Sequence, residues 1–161
     1  MSSEIISRQE VIPPFNQNAV AVKYIEYDNI YDEADITPEL IARILKDIPE
    51  GVEIRLYLDP DGEGDFLEVL SDGEWLSLGS SMEQKEDGCY YSYNAAYADT
   101  ADEVEKFNYS DTDVWSNLAS GGQSPIPKIQ AITDMDAGVK AVEYFIRTGE
   151  FYPGIDWLHE F

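Results

Sequence analysis

Residues 52–58, VEIRLYL, alternate strictly: Val52, Ile54, Leu56 and Leu58 fall on one side, with Glu53, Arg55 and Tyr57 on the other. A period of two over this length predicts a half-buried strand. The stretch before it has a different period. Leu40, Ile41, Ile44, Leu45 and Ile48 recur at helical spacing behind Thr37-Pro38, which supplies an N-cap and a proline at the first helical position. Pro49 and Gly51 then stop that helix. Residues 19–27, AVAVKYIEY, alternate again and predict a strand, with Val20, Val22, Tyr24 and Glu26 facing away from Ala21, Lys23, Ile25 and Tyr27. After residue 58, DPDGEGD reads as a turn and residues 66–70 as the returning strand. Residues 71–74 make a tight turn, 75–78 a further strand, 79–88 a polar loop and 89–97 an aromatic strand. Connections this short cannot be parallel crossovers, so the middle of the chain is an antiparallel meander.

The C-terminal part carries a second helix. Thr133 is the expected N-cap, with Asp134 and Asp136 in the first turn, where the helix dipole favours negative charge. Met135, Val139, Val142, Phe145 and Ile146 form its apolar stripe, and Arg147 followed by Gly149 supplies the C-terminal chemistry. Pro153 and Gly154 turn the chain into a short closing strand, with Ile155 and Trp157 on one side and Asp156 on the other. Phe145, Gly149, Pro153 and Trp157 are thus structural residues. Residues 1–18, with Pro13-Pro14, read as an irregular arm. Residues 98–123 have the weakest pattern, with at most a helical turn at Asp99–Val104 and a break at Gly121-Gly122. There is no internal repeat and no linker. The chain is expected to be one α+β domain spanning 1–161, a mostly antiparallel sheet with two main helices packed on one face.

Composition adds one strong fact. With 33 acidic and 10 basic residues the formal charge is −23, against a hydrophobic fraction of 43% that suits a folded protein. Repulsion on this scale opposes compaction, so the core must supply the stability. It also excludes an ordinary nucleic-acid binder, which neutralises phosphates with Lys and Arg. A basic protein partner, a cation or plain solubility all suit such a surface. Cys89 is the only cysteine, so no internal disulfide is possible. The N-terminus lacks a signal-peptide core and no run approaches the length of a membrane span. A soluble, cytoplasmic protein is expected.

The charge is patterned. Residues 24–39 hold six acidic residues and no basic one, and residues 59–74 hold seven and none. Asp59, Asp61, Glu63 and Asp65 resemble the first half of a calcium loop, but Leu70 stands where a bidentate carboxylate is needed. The stretch therefore reads as a solvated hairpin tip. Residues 99–115 hold six acidic residues around Phe107, Tyr109 and Trp115. Asp99, Asp102, Glu103, Asp111 and Asp113, ringing Tyr109 and Trp115, suit a protein interface in which aromatics anchor and acids steer. The same aromatics could equally fold inward. His159, the only histidine, reads as surface, and Cys89 as a buried thiol. No phosphate-binding loop, dinucleotide fingerprint or nucleophile elbow occurs, so no catalytic residue, cofactor or metal is assigned.

Ile126-Pro127, Ala137, Ala141-Val142, Tyr144-Phe145, Thr148-Gly149, Pro153, Ile155 and Trp157 form a spaced pattern over about a quarter of the chain. This pattern resembles the C-terminal signature of the first Imm family, the immunity proteins of bacterial polymorphic toxin systems. The resemblance implies a small non-catalytic antidote that binds a cognate toxin domain, often a nucleic-acid deaminase or nuclease, and occludes its active site. It implies no contact positions, because the matched residues are structural. The candidate contacts remain the acidic and aromatic residues of 59–65 and 99–115. The alternatives are an acidic adaptor or nucleic-acid mimic acting on another basic protein, or a carboxylate-dependent hydrolase.

Overall fold

The computed structural model describes residues 3–81, 88–97 and 108–161. Its main sheet has nine strands, all paired antiparallel. In chain order they are β1 (Ser3–Ile6), β2 (Tyr24–Glu26), β3 (Ile30–Asp32), β4 (Val52–Tyr57), β5 (Phe66–Ser71), β6 (Leu76–Ser81), β7 (Cys89–Ser92), β10 (Ala131–Ile132) and β11 (Trp157–Glu160). A separate hairpin joins β8 (Trp115–Ser120) to β9 (Ser124–Pro127). Across the main sheet the order is β1-β11-β7-β6-β5-β4-β2-β3, with β10 added to the free part of β6. The expected meander is β4 to β7. The α+β class holds, and the two α-helices among the described residues, α1 (Pro38–Asp47) and α2 (Met135–Thr148), share one core with the sheet.

The period-two strands sort their side chains by face. Ile54 and Leu56 of β4, Leu67 and Val69 of β5, and Leu76 and Leu78 of β6 are all buried against the helices. Leu40, Ile41 and Ile44 of α1 and Ala141, Val142, Phe145 and Ile146 of α2 close the other side of this core. Ser71 ties the layers: its hydroxyl donates to the Ile48 carbonyl at 2.6 Å and accepts from the Val52 amide at 3.0 Å. The opposite face of the sheet carries two smaller clusters. Tyr93, Ile129 and Leu158 form one; Leu70, Trp75, Leu118 and Ala131 form the other. The β8–β9 hairpin lies over this second face and supplies Leu118 and Ile126.

Several expectations are corrected. The arm 1–18 is not irregular throughout, because β1 pairs with β11 from Ser3↔Glu160 to Ile6↔Trp157. Asp156 then holds the Arg8 amide at 2.7 Å, and the Pro153 carbonyl accepts from Gln9 at 2.7 Å. Strand 19–27 shrinks to Tyr24–Glu26, since the amides of Ala21 and Val22 donate instead to the Ile146 carbonyl in the last turn of α2. That carbonyl has no helical partner of its own. The alternation breaks there, so Val22 and Ile25 are both fully buried although they were placed on opposite sides. In the polar loop 79–88, residues 79–81 instead continue β6, and the aromatic strand from 89 ends at Ser92. Gly121-Gly122 is no break but the turn of the β8–β9 hairpin, with both φ angles positive. The closing strand begins at Trp157 and lies inside the sheet, between β1 and β7. Ile155 is buried just ahead of it, and Trp157 and Leu158 go to opposite faces.

The N-cap of α2 is Asp134 rather than Thr133; its carboxylate accepts from the Ala137 amide at 3.1 Å. Replacing a capping Asp by Ala removes a partner for an orphan amide, at a cost of about 1 kcal/mol. Asp134→Ala should therefore lower stability by about that amount, while Thr133→Ala leaves the chemical-denaturation midpoint unchanged. Equal effects of the two changes would refute the assignment. The four residues expected to be structural are placed as follows. Phe145 is fully buried, Gly149 caps α2 in the left-handed region at φ 74°, and the Trp157 indole donates to the Tyr152 carbonyl at 2.8 Å. Pro153 receives the arm as described above.

Candidate functional site

The sheet register decides which acidic residues can act together. One row of paired residues runs Tyr24, Tyr57, Phe66, Ser81, Cys89, Glu160, Ser3. The β4–β5 tip, residues 59–65, projects from this end of the sheet, and Glu160 stands at the same end three strands away from Phe66. At strand spacing that is roughly 14 Å. Tyr109 belongs to this end too, since the Glu160 carboxylate, after burial, helps to raise its hydroxyl's pKa.

Within the tip the carboxylates divide by role. Asp59 is half-buried and accepts from the amides of Asp61 at 2.9 Å and Glu63 at 3.4 Å, so it shapes the turn. Gly62, with φ at 71°, lets the turn close against the ring of Tyr24. Asp61 and Glu63 are left pointing outward and make no ion pair among the described residues. Asp65 is a correction to the expected contacts: it is 8% exposed and lies inward of the tip. No group of three or more potential metal ligands forms among the described residues.

Of the second acidic tract, Asp99, Asp102 and Glu103 lie outside the described residues, as does Phe107. Tyr109 is 40% exposed, and its ring sits 5.8 Å from that of Trp115. The Trp115 indole donates to the Tyr109 carbonyl at 3.0 Å, which fixes this aromatic pair at the entry to β8. Asp111 caps the following helical turn by accepting from the Asp113 amide at 2.9 Å. Asp111 and Asp113 are both exposed. Trp115 is half-buried, so it is as much an anchor for the loop as a surface group.

The second face of the sheet also holds a cleft that sequence reasoning missed. It encloses about 180 Å³ over Gly79, between Phe66 and Glu68 of β5 and Cys89 and Tyr91 of β7, with Ile126 of the hairpin on one side. Arg55 pairs with Glu68 at 3.2 Å and lies over the Phe66 ring. Ser120 of the hairpin donates to the same Glu68 carboxylate at 3.0 Å. Cys89 is half-buried at this cleft rather than sealed in the core. The Tyr91 hydroxyl is hydrogen-bonded to it, and burial first, then the Cys89 and Glu160 charges, push that phenol's pKa upward. His159 is also corrected. It lies inside the sheet, its side chain 15% exposed, with its ring stacked on Tyr90 at 4.1 Å and 3.7 Å from the Glu4 carboxylate. Its strand neighbours, not its own identity, place it there, so only the alternation of residues 157–160 could have signalled it.

Burial holds the Glu160 carboxyl above the usual glutamate range. A carboxyl raised in the folded state binds protons more tightly there than in the unfolded chain. Its favourable contribution is therefore complete at acid pH and lost as pH rises through the folded pKa. Glu160→Gln is expected to raise the urea midpoint at pH 7, with the gain shrinking toward acid pH. A midpoint at pH 7 equal to or below that of the parent would refute this.

A larger cavity of about 300 Å³ opens between Arg8, Tyr93, Asn94, Thr133, Asp134 and Asp156. Its two carboxylates are already engaged, Asp134 with the helix cap and Asp156 with Arg8. No helix among the described residues is long and apolar enough to cross a membrane. Comparison of the chain with protein families, with characterised proteins and with solved structures finds no match.

Proposed function

We propose that this chain is a non-catalytic immunity protein. In this reading it binds a basic toxin domain, of the kind that attacks nucleic acid, and occludes its active site with the acidic end of the sheet. The supporting observation is how the cations are spent. Of the ten Lys and Arg residues, Lys85 and Lys106 lie outside the described residues, which leaves eight. Five of these are held in ion pairs: Arg8–Asp156, Lys23–Glu33, Arg43–Asp28, Arg55–Glu68 and Arg147–Glu143. A sixth, Lys128, sits over the Trp75 ring. Six of the eight described cations are thus engaged within the molecule, while Asp61, Glu63, Asp111 and Asp113 face outward. A surface of one sign attracts the opposite sign, and a cleft that binds nucleic acid is basic. Tyr109 adds the partly exposed aromatic area that interfaces use as an anchor.

The test is co-expression with the toxin domain encoded beside the gene. Growth should be rescued, and the two proteins should co-purify as a complex with the toxin's nucleic-acid substrate excluded. A toxin that remains lethal and does not co-purify would overturn the proposal. Retention of a different basic protein in its place would favour an acidic adaptor.

A further inference from the structure

The main sheet ends in β3 on one side and β1 on the other, and the two edges differ. β3 has three residues; its Ile30 amide is taken by the Asn29 side chain at 2.9 Å, and it runs straight into a helical turn at Glu33. A short, self-satisfied edge of this kind resists a further strand. β1 has no such protection. It pairs with β11 over four residues in unbroken register and contains neither proline nor lysine. The ladder also decides which of its backbone groups face out. The Tyr93 amide donates to the Asp156 carbonyl at 3.0 Å, one step beyond the Ser92↔Trp157 pair. Bonded and non-bonded pairs alternate along an antiparallel ladder. Leu158 and Glu160 therefore bond toward β7, while Trp157 and His159 bond toward Ile6 and Glu4 of β1. Ser3 and Ile5 are left with their N–H and C=O groups directed away from the sheet, with no partner among the described residues.

This edge is held in place. Ile5 packs on the cluster of Tyr93, Ile129 and Leu158, and just beyond the strand Asp156 fixes the Arg8 amide. A backbone ordered in advance loses less entropy on binding. Toward the helix side β1 presents Glu4, 61% exposed beside His159, and Ile6, 39% exposed. Ser3 belongs to the row of residues from whose end the 59–65 tip projects, four strands or roughly 19 Å from Phe66. An interface of ordinary size, about 800 Å² on each partner, spans both. We propose that β1 receives an extended segment of the basic partner as an added edge strand. Its backbone bonds to Ser3 and Ile5, with a Lys or Arg beside Glu4 and an apolar residue beside Ile6. In this mode the main-chain bonds supply affinity and the alternate side chains supply selectivity. A second copy of this chain is disfavoured as the occupant, because each copy carries −23. The inference rests on the proposed function for the identity of the partner; the open edge itself is read from the register.

The test is amide hydrogen exchange, read by NMR on the ¹⁵N-labelled full chain. In the free chain the Ile5 amide should exchange about tenfold faster or more than those of Glu4 and Ile6, which the ladder protects. Equal rates would overturn the open edge. In the complex with the toxin domain encoded beside the gene, the Ile5 amide should slow about tenfold or more. Ser3→Pro removes an outward donor at the first residue of a strand, where proline is tolerated. The urea midpoint should hold while Kd rises about tenfold, since a carbonyl of the partner is left unpaired. Glu4→Lys should raise Kd about tenfold or more, whereas Glu39→Lys, the same charge change on α1, should raise it less than about threefold. Docking at this edge would be overturned by a complex in which Ile5 exchanges as it does in the free chain. A Kd unmoved by Ser3→Pro, or moved alike by Glu4→Lys and Glu39→Lys, would overturn it too. Each of these outcomes leaves the proposed function standing. If the parent does not bind that toxin, the proposed function fails and the occupant named here fails with it.

Discussion

Phe145→Ala is expected to cost about 3–5 kcal/mol, the range for truncating a fully buried aromatic. Phe145 has no exposed surface and sits in the core shared by both helices and the sheet, against the ring of Phe151. Phe151 in turn packs at 5.0 Å on Trp157, so one truncation opens a gap between α2 and the strand that follows it. Marginal stability makes the loss severe: a domain with a total of about 5–15 kcal/mol has little to spare. The charge of −23 adds repulsion in the compact state. Urea denaturation should show a large drop in midpoint with an unchanged slope, the sign of lost stability rather than an altered unfolded state. A drop of less than about 1 kcal/mol would mean that the site can collapse or that the core lies elsewhere.

The second large effect concerns association with a basic toxin domain. If the acidic end of the sheet steers the encounter, the on-rate should fall roughly tenfold or more from low to high salt. The screening length is only about 10 Å at 0.1 M salt, so charges that act before contact are the first to be silenced. The double change Asp61→Asn, Glu63→Gln should slow association and flatten the salt dependence, with little effect on the off-rate. Both side chains are exposed and neither shapes its turn, a task that falls to Asp59. The double variant should therefore fold as the parent does. Stopped-flow or surface-based kinetics at two salt concentrations would decide. An on-rate that does not respond to salt would refute electrostatic steering by this end of the sheet.

The helices and the meander were legible because their signals are local. The Thr37 hydroxyl accepts from the Leu40 amide at 3.2 Å, as a cap residue before Pro38 should. The β4–β5 register follows from alternation on either side of a glycine-bearing turn. What failed was non-local. Nothing in Ser3–Ile6 says that it will pair with a strand more than 150 residues away. Nothing in Trp115–Ser120 says that it will fold over the back of the sheet. Among the candidate contacts, Asp61, Glu63 and Tyr109 are where a partner could reach them, whereas Asp65 is buried by its neighbours. The sequence could count these acids but not say which ones face water.

By itself, the sequence determined the class of the fold, the two helices, the central hairpins and the sign of the surface, because period, capping and charge are properties of short stretches or of simple sums. The tertiary structure alone decided the rest. It set Glu160 beside Cys89 in the register, spent most of the described cations on particular partners, and left a hollow over Gly79. The physical reason is that burial and pairing belong to residues distant in the chain, and only the register of the sheet brings them together.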